Sequence, residues 1–178
     1  MGAYATIGAI AENFVRVSPV NLITGACLRL LLTDAAPRGP GIAQTWSPPE
    51  MLPAMPGNVD PMALPAEQRT VLMRFATEVD GAPFIPALYR QLAGFPGFLA
   101  WLADTLVPRL TDPETTEARA AFRAAATAAA PAIVARLPGP ALPAPDTETV
   151  RRVLATIDRY AETSPEMTMF GRLILDMI

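Results

Sequence analysis

Apolar residues recur at helical spacing along most of this chain. Between residues 4 and 17 they fall at intervals of three and four, at Ile7, Ile10, Ala11 and Phe14. That spacing is typical of one face of an α-helix. Ser18-Pro19 follows with an N-cap residue and a first-turn proline, a combination that begins helices. The pattern predicts one helix over residues 4–17 and a second helix that starts at Pro19.

The same reasoning predicts helices over most of the remaining chain, at residues 66–79, 86–93, 96–110, 113–136, 147–162 and 165–178. Asp112-Pro113-Glu114 and Ser164-Pro165-Glu166 repeat the cap and first-turn proline, each followed by an acid that complements the helix dipole. Pro131 is expected to kink or split its helix, and Asp80-Gly81 to form a turn. No segment alternates like a strand, so the predicted fold class is all-α.

Residues 34–65 differ in texture, because proline and glycine are dense there and no helical or strand period survives. We expect this segment to be a long irregular linker, which is uncommon inside a compact domain unless it is functional or joins subunits. It separates residues 1–33 from residues 66–178. We expect the whole chain to form one compact domain.

The two ends of the chain resemble each other. SPVNLITGACLRLLL begins at Ser18 and SPEMTMFGRLILDMI begins at Ser164, an offset of 146 that also aligns Gly25 with Gly171. Upstream, Ile7 aligns with Val153 and Phe14 with Tyr160 at the same offset. Self-similarity of this kind predicts a duplicated, pseudo-symmetric unit. Residues 1–33 would be the back half of one copy, with its front half missing, and residues 66–178 a complete copy.

Composition narrows the chemistry. Hydrophobic residues make up 51% of the 178 residues and charged ones 17%, with a net charge of −3, which predicts a globular protein that does not bind nucleic acid. The chain has no histidine and one cysteine, Cys27. The lack of histidine excludes catalytic triads that use it, and a single cysteine excludes an internal disulfide. Acid–base chemistry would fall to carboxylates, Tyr, Lys or Arg. We expect Cys27 to be a buried core residue, and we expect no metal and no cofactor.

The expected location is cytoplasmic, without membrane association. No basic segment precedes the apolar residues at the N-terminus, so no signal peptide is predicted. The apolar stretch of residues 22–32 contains Arg29 and is shorter than the roughly 20 residues that a membrane-spanning helix needs.

The segment 81–110, GAPFIPALYRQLAGFPGFLAWLADTLVPRL, resembles the group I 2-haloacid dehalogenases, also called the halocarboxylic acid dehydrogenase type. The residues that carry the resemblance are Pro83-Phe84, Arg90, Leu92-Ala93, Phe95-Pro96-Gly97, Leu99, Leu137-Pro138-Gly139 and the closing helix pair. The resemblance implies two tandem helical repeats joined by a long linker, with an active site between them. It also implies hydrolysis of 2-haloalkanoic acids. In that reaction a carboxylate activates a water that displaces halide from C2 with inversion, without a covalent intermediate, metal or cofactor.

Transferred onto this chain, the resemblance puts the catalytic aspartate at Leu88 and the preceding serine at Ala87. A tunnel asparagine falls on Ser18, and a pocket tyrosine is retained as Tyr160. An alternative alignment of residues 81–99 with the first repeat puts Phe84 at the position of a pocket tryptophan. The implied substrate pocket therefore contains Ser18, Phe84, Ala87, Leu88 and Tyr160.

Leucine cannot accept a proton, so the catalytic base is left unassigned. Asp80 and Asp104 are weak candidates to replace the base, and both also fit the role of ordinary surface or cap residues. Tyr160 likewise also fits the role of an ordinary packing residue. Two functions remain open. The chain is a dehalogenase-type hydrolase with a displaced base or another small carboxylic acid as substrate, or a non-catalytic homologue that binds a small carboxylate or acts through protein contacts. Because residues 4–32 carry an apolar face that must be covered, we expect a homodimer, or packing of this half-unit on the complete one. The chain could also be a fragment of a longer protein.

Overall fold

Two long helices dominate the structure. The computed structural model describes residues 2–33, 47, 51, 54–79, 81–138 and 145–178. Helix α1 spans Ala3–Leu32 with Pro19 inside it, and helix α7 spans Thr147–Met177 with Pro165 inside it. The sequence predicted a helix boundary at each proline, and both predictions were wrong. A proline inside a helix costs about 3 kcal/mol, and here packing of the two helices along each other outweighs this local preference.

Three glycines show that α1 and α7 pack antiparallel. A Cβ atom at Gly8 would lie 3.2 Å from Ile178 Cδ1, and one at Gly25 would lie 3.4 Å from Ile157 Cγ2. At Gly171 a Cβ would lie 3.1 Å from the carbonyl oxygen of Ala11. The absence of a side chain at Gly171 therefore lets the two backbones approach closely at Ala11.

In the sequence, shorter elements connect the two long helices. They are the 3-10 turn Pro61–Ala63, α2 at Ala66–Met73, β1 at Thr77–Val79, β2 at Ala82–Phe84, α3 at Ala87–Leu92, α4 at Pro96–Leu110, α5 at Pro113–Ala128 and α6 at Ala130–Val134. Of the described residues, 75% are helical and 4% lie in strands, which confirms the predicted helical class in its broad form. As expected, the helical stretch that contains Pro131 is divided, with α6 starting at Ala130.

The hairpin is a correction, because a helix was predicted over residues 66–79. Strands β1 and β2 pair antiparallel, with Thr77 opposite Phe84 and Val79 opposite Ala82. Gly81 has a φ of 74°, which suits the predicted turn since glycine adopts that region without strain. Helix α2 ends early, and β-branched Thr77 and Val79 then fit the extended backbone better than a helix.

Part of the predicted linker is ordered against the domain. The backbone N–H of Val59 donates to the carbonyl of Arg90, and Arg90 Nε donates back to the carbonyl of Val59. Asp60 caps the 3-10 turn by accepting from the backbone N–H of Met62. Residues 54–65 therefore belong to the folded unit and are not wholly irregular, while most of residues 34–53 lie outside the described part of the chain.

The main core lies between the first half of α1, the last third of α7 and the helices α2, α3 and α4. Its large, fully buried members include Phe75, Tyr89, Phe170, Ile10, Leu72 and Leu102. A smaller cluster joins Cys27 of α1 to Ala130 and Val134 of α6, which confirms that Cys27 is a buried core residue. Only the first half of α1 is thus covered by α2–α4.

One described helix, α1, is long and apolar enough to span a bilayer by length and composition. Its most apolar window has a mean hydropathy of 1.4, and 17% of that window is buried. The apolar stretch 22–32 was expected to be too short to span a membrane. It is only part of α1, which is continuous over 30 residues. Core helices of soluble proteins and signal sequences pass the same test, so this feature assigns no location.

We expect Gly171→Ala to lower the free energy of unfolding by about 1–2 kcal/mol. The new methyl group meets a backbone carbonyl at 3.1 Å, and backbone cannot move aside as a flexible side chain can. Gly25→Ala is the matched control, because its methyl group meets only a side chain, at 3.4 Å. The control should be neutral or stabilising by up to about 1 kcal/mol, owing to the helix propensity of alanine. Urea unfolding followed by circular dichroism measures both, and equal effects would contradict the described packing.

Candidate functional site

A buried carboxylate lies where α7, α3 and α5 meet. The Glu166 side chain is 3% exposed. The Tyr89 hydroxyl donates to Glu166 Oε1 at 2.7 Å, and Arg119 Nη1 lies 3.4 Å from Glu166 Oε2. These three side chains come from helices that are distant in sequence, so the fold alone brings them together.

Burial controls the electrostatics of this cluster. Loss of solvent raises the pKa of Glu166, while the hydrogen bond from Tyr89 and the charge of Arg119 act against that rise. Burial also raises the pKa of Tyr89 well above its ordinary value, and the neighbouring Glu166 carboxylate adds to that rise. Tyr89 therefore remains a protonated hydrogen-bond donor. A desolvated carboxylate with a raised pKa has the properties required of a general base.

A cavity of about 400 Å³ borders the carboxylate. Its polar lining includes Glu166, Arg119 and the threonines 77, 111 and 116, and its apolar lining includes Phe75, Val107 and Leu110. The contacts of Arg119 to Glu166 and to the carbonyl of Leu110 both use Nη1. Among the described residues its Nε and Nη2 have no acceptor, and guanidinium donors of this kind can bind an anionic group.

The local sequence explains how these groups are held. Phe75 follows α2, and its ring stacks on Tyr89 with centroids 4.1 Å apart and planes 19° apart. Strand β1 begins two residues later and brings Thr77 to the cavity. Asp112 caps α5 by accepting from the backbone N–H of Glu114, and this fixes the helix that carries Arg119.

The structure brings some of the sequence-predicted pocket residues near this cluster. Leu88 precedes Tyr89 in α3, but its side chain is 0% exposed and belongs to the core. Ala87 and Phe84 are half-buried at the start of α3 and on β2. Ser18 is buried in α1, and the antiparallel register puts it level with residues 164–168 of α7. None of these four side chains lines the cavity.

The other predicted residues lie elsewhere. Tyr160 is 48% exposed and lines a separate groove between α1 and α7. Asp104 is exposed and accepts from Arg74 Nη1 at 2.7 Å, so it is a surface ion-pair partner. Asp80 lies outside the described residues. The expected pocket of five residues is therefore divided between two parts of the molecule.

Sequence reasoning missed Glu166 because it assigned this residue to an exposed first helical turn. In the continuous helix α7, the N-cap is Asp146, which accepts from the backbone N–H of Thr149. Glu166 then shares a face with Phe170 and Ile174, at intervals of four residues, and both of these are in the core. An acid in register with two buried apolar residues was the signal that could have revealed it.

No protein-family model, curated protein or solved structure matches this chain. Within the described residues, no group of three or more acidic or cysteine side chains could hold a metal ion.

We expect Glu166→Gln to change how stability depends on pH. Because the pKa of Glu166 is raised, the folded protein keeps this proton at pH values where the unfolded chain loses it. Glu166 therefore contributes its full stabilisation below about pH 4.5, which is the ordinary pKa of a glutamate side chain. It is lost as pH rises through the folded-state pKa. Glutamine does not titrate, and its oxygen can still accept from Tyr89.

The measurement is the unfolding free energy of both proteins between about pH 4 and pH 9, from urea titrations. Wild-type stability should fall relative to Glu166→Gln as pH rises. Glu162→Gln is the control, since Glu162 lies on the same helix, pairs with Arg123 and is 57% exposed. The raised pKa would be contradicted if the unfolding free energy of wild type, relative to that of Glu166→Gln, stayed constant or rose with pH.

Proposed function

We propose that this protein is a hydrolase that acts on small 2-substituted carboxylic acids of the 2-haloalkanoate class, with Glu166 as the base. The observation that carries the proposal is a buried carboxylate, paired with Tyr89 and Arg119, that borders a cavity. The resemblance of residues 81–110 to the 2-haloacid dehalogenases supplies the substrate class. In this proposal Glu166 replaces the aspartate whose expected position is Leu88.

The cavity provides each group that the reaction requires. Arg119 would bind the substrate carboxylate through its remaining N–H donors. Phe75, Val107 and Leu110 offer an apolar wall for the alkyl chain and the halogen. Glu166 Oε2, which does not accept from Tyr89, would take a proton from a water molecule. The hydroxide formed bonds to C2 while the carbon–halogen bond breaks and its electron pair leaves with the halide.

Two positions that the resemblance assigns to the active site lie on elements next to Glu166. Leu88 adjoins Tyr89 on α3, and the register of α1 on α7 puts Ser18 level with residues 164–168. The base would therefore come from α7 instead of α3, while the reaction centre stays in the same region of the fold. Tyr89 would position Glu166 by holding Oε1.

We also propose that α1 and the second half of the complete unit derive from a duplication with an offset of 146. Two glycine contacts support this. Gly25 meets Ile157 and Gly171 meets Ala11, and each pair becomes the other when 146 is added to or subtracted from its residues. The prolines inside the two helices, Pro19 and Pro165, obey the same offset. The two helices would thus be related by an approximate two-fold axis.

The wild-type protein should release halide from 2-chloropropionate at neutral pH. Glu166→Gln should lower the rate by about 10²–10⁴-fold, the usual contribution of a general base. Glu162→Gln should keep the wild-type rate, because its side chain lies outside the cavity. Halide release is measured with a chloride electrode, and the configuration at C2 of the product by chiral chromatography.

No halide release by the folded wild-type protein would refute the hydrolase. The second candidate would then apply, a non-catalytic protein that binds a small carboxylate. The burial of Leu88 in the core favours that alternative, since the residue at the expected base position cannot reach a ligand. Cytoplasmic location and a homodimer remain parts of the proposal, and light scattering of the purified protein tests the dimer.

A further inference from the structure

We propose that the groove between the second half of α1 and the first half of α7 is a second binding site, for a small organic monocarboxylate with an apolar body. The groove has a volume of about 520 Å³, within the usual range of small-molecule sites. It is distinct from the Glu166 cavity, with which it shares no lining residue. The inference does not depend on the hydrolase activity.

The polar groups of the groove converge from both helices. Asn21 and Thr24 come from α1, and Arg152 comes from α7. The neighbouring hydroxyls of Thr149 and Thr156 donate within α7, to Asp146 Oδ2 and to the carbonyl of Arg152. Asn21, Thr24 and Arg152 have no partner among the residues that the structure describes, so a ligand can engage their donors.

Arg152 determines the charge of the ligand. Among the described residues it is the only charged side chain in the lining of this groove, and it makes no ion pair with any of them. The adjacent cations are neutralised, since Arg151 pairs with Glu148 and Arg29 pairs with Asp158. A guanidinium without an ion pair suits a carboxylate, which it can bind through two N–H groups.

The apolar lining determines the rest of the ligand. Leu28, Val153 and Ile157 form apolar surface beside Arg152, and the half-exposed ring of Tyr160 lies at the edge. A ligand with a carboxylate at one end and an aromatic or branched alkyl body at the other would contact both kinds of surface. A bare inorganic anion would leave the apolar part in water.

Comparison with the covered part of the same helix pair argues against a protein occupant. At an offset of 146, Asn21 corresponds to Met167, Thr24 to Phe170 and Thr156 to Ile10. Met167, Phe170 and Ile10 are core residues beneath α2–α4. At these three positions a similar helical layer would take polar side chains out of water, which favours a ligand that leaves them hydrated.

The test measures the binding of benzoate to the whole chain, by saturation-transfer NMR and by calorimetry. Wild type should bind saturably, and Arg152→Gln should weaken binding by about tenfold or more, the usual effect of losing a charged hydrogen-bond partner. Arg151→Gln is the matched control, because it removes the same charge one residue away, on a side chain that already has a partner. It should bind like wild type, as should Arg119→Gln, which removes the guanidinium beside Glu166 in the other cavity.

Four results would overturn the proposal. The first is no saturable benzoate binding by wild type, and the second is equal weakening in Arg151→Gln and Arg152→Gln. The third is loss of binding only in Arg119→Gln, and the fourth is binding of inorganic phosphate as tight as that of benzoate. The third result would assign the ligand to the Glu166 cavity. Since halide release is measured separately, failure of the hydrolase proposal would leave this test unaffected.

Discussion

The antiparallel packing of α1 on α7 is the constraint on which the rest of the structure depends. Each helix contains a proline that removes one backbone donor and costs about 3 kcal/mol in isolation. Both helices nevertheless continue through it, because burial of their apolar faces against each other and against α2–α4 compensates. Gly171 permits the close approach to the backbone of α1 at Ala11.

The buried carboxylate is a consequence of that continuity. If α7 began at Pro165, Glu166 would lie in an exposed first turn, whereas in the continuous helix it shares a face with Phe170 and Ile174. An unpaired charge in that position would be strongly destabilising. The Tyr89 hydroxyl and the Arg119 guanidinium compensate the charge of Glu166. Tyr89 is held by its stacking on Phe75, and Arg119 lies on a helix that is capped by Asp112.

The sequence was sufficient for the elements with strong local signals. The helix Pro96–Leu110, the division near Pro131, the turn at Gly81 and the burial of Cys27 all follow from residue type and spacing. It was insufficient where tertiary packing overrides local preference. A Ser-Pro pair is a good helix start in isolation, and only the partner helix makes it an interior segment. The hairpin at Thr77–Phe84 was too short to show alternation, and the Tyr89–Glu166 contact spans 77 residues.

The two parts of the long helix pair differ in polarity at three matched positions, and this limits what can cover each of them. Where α2–α4 pack, the helices present Ile10, Met167 and Phe170. At the open groove they present Thr156, Asn21 and Thr24, with Arg152 beside them. A helical layer docked there would remove these polar groups and one charge from water without supplying partners, at a cost of several kcal/mol. Arg152 has no ion-pair partner among the described residues, and the small carboxylate that we propose would supply one while leaving the remaining polar groups hydrated.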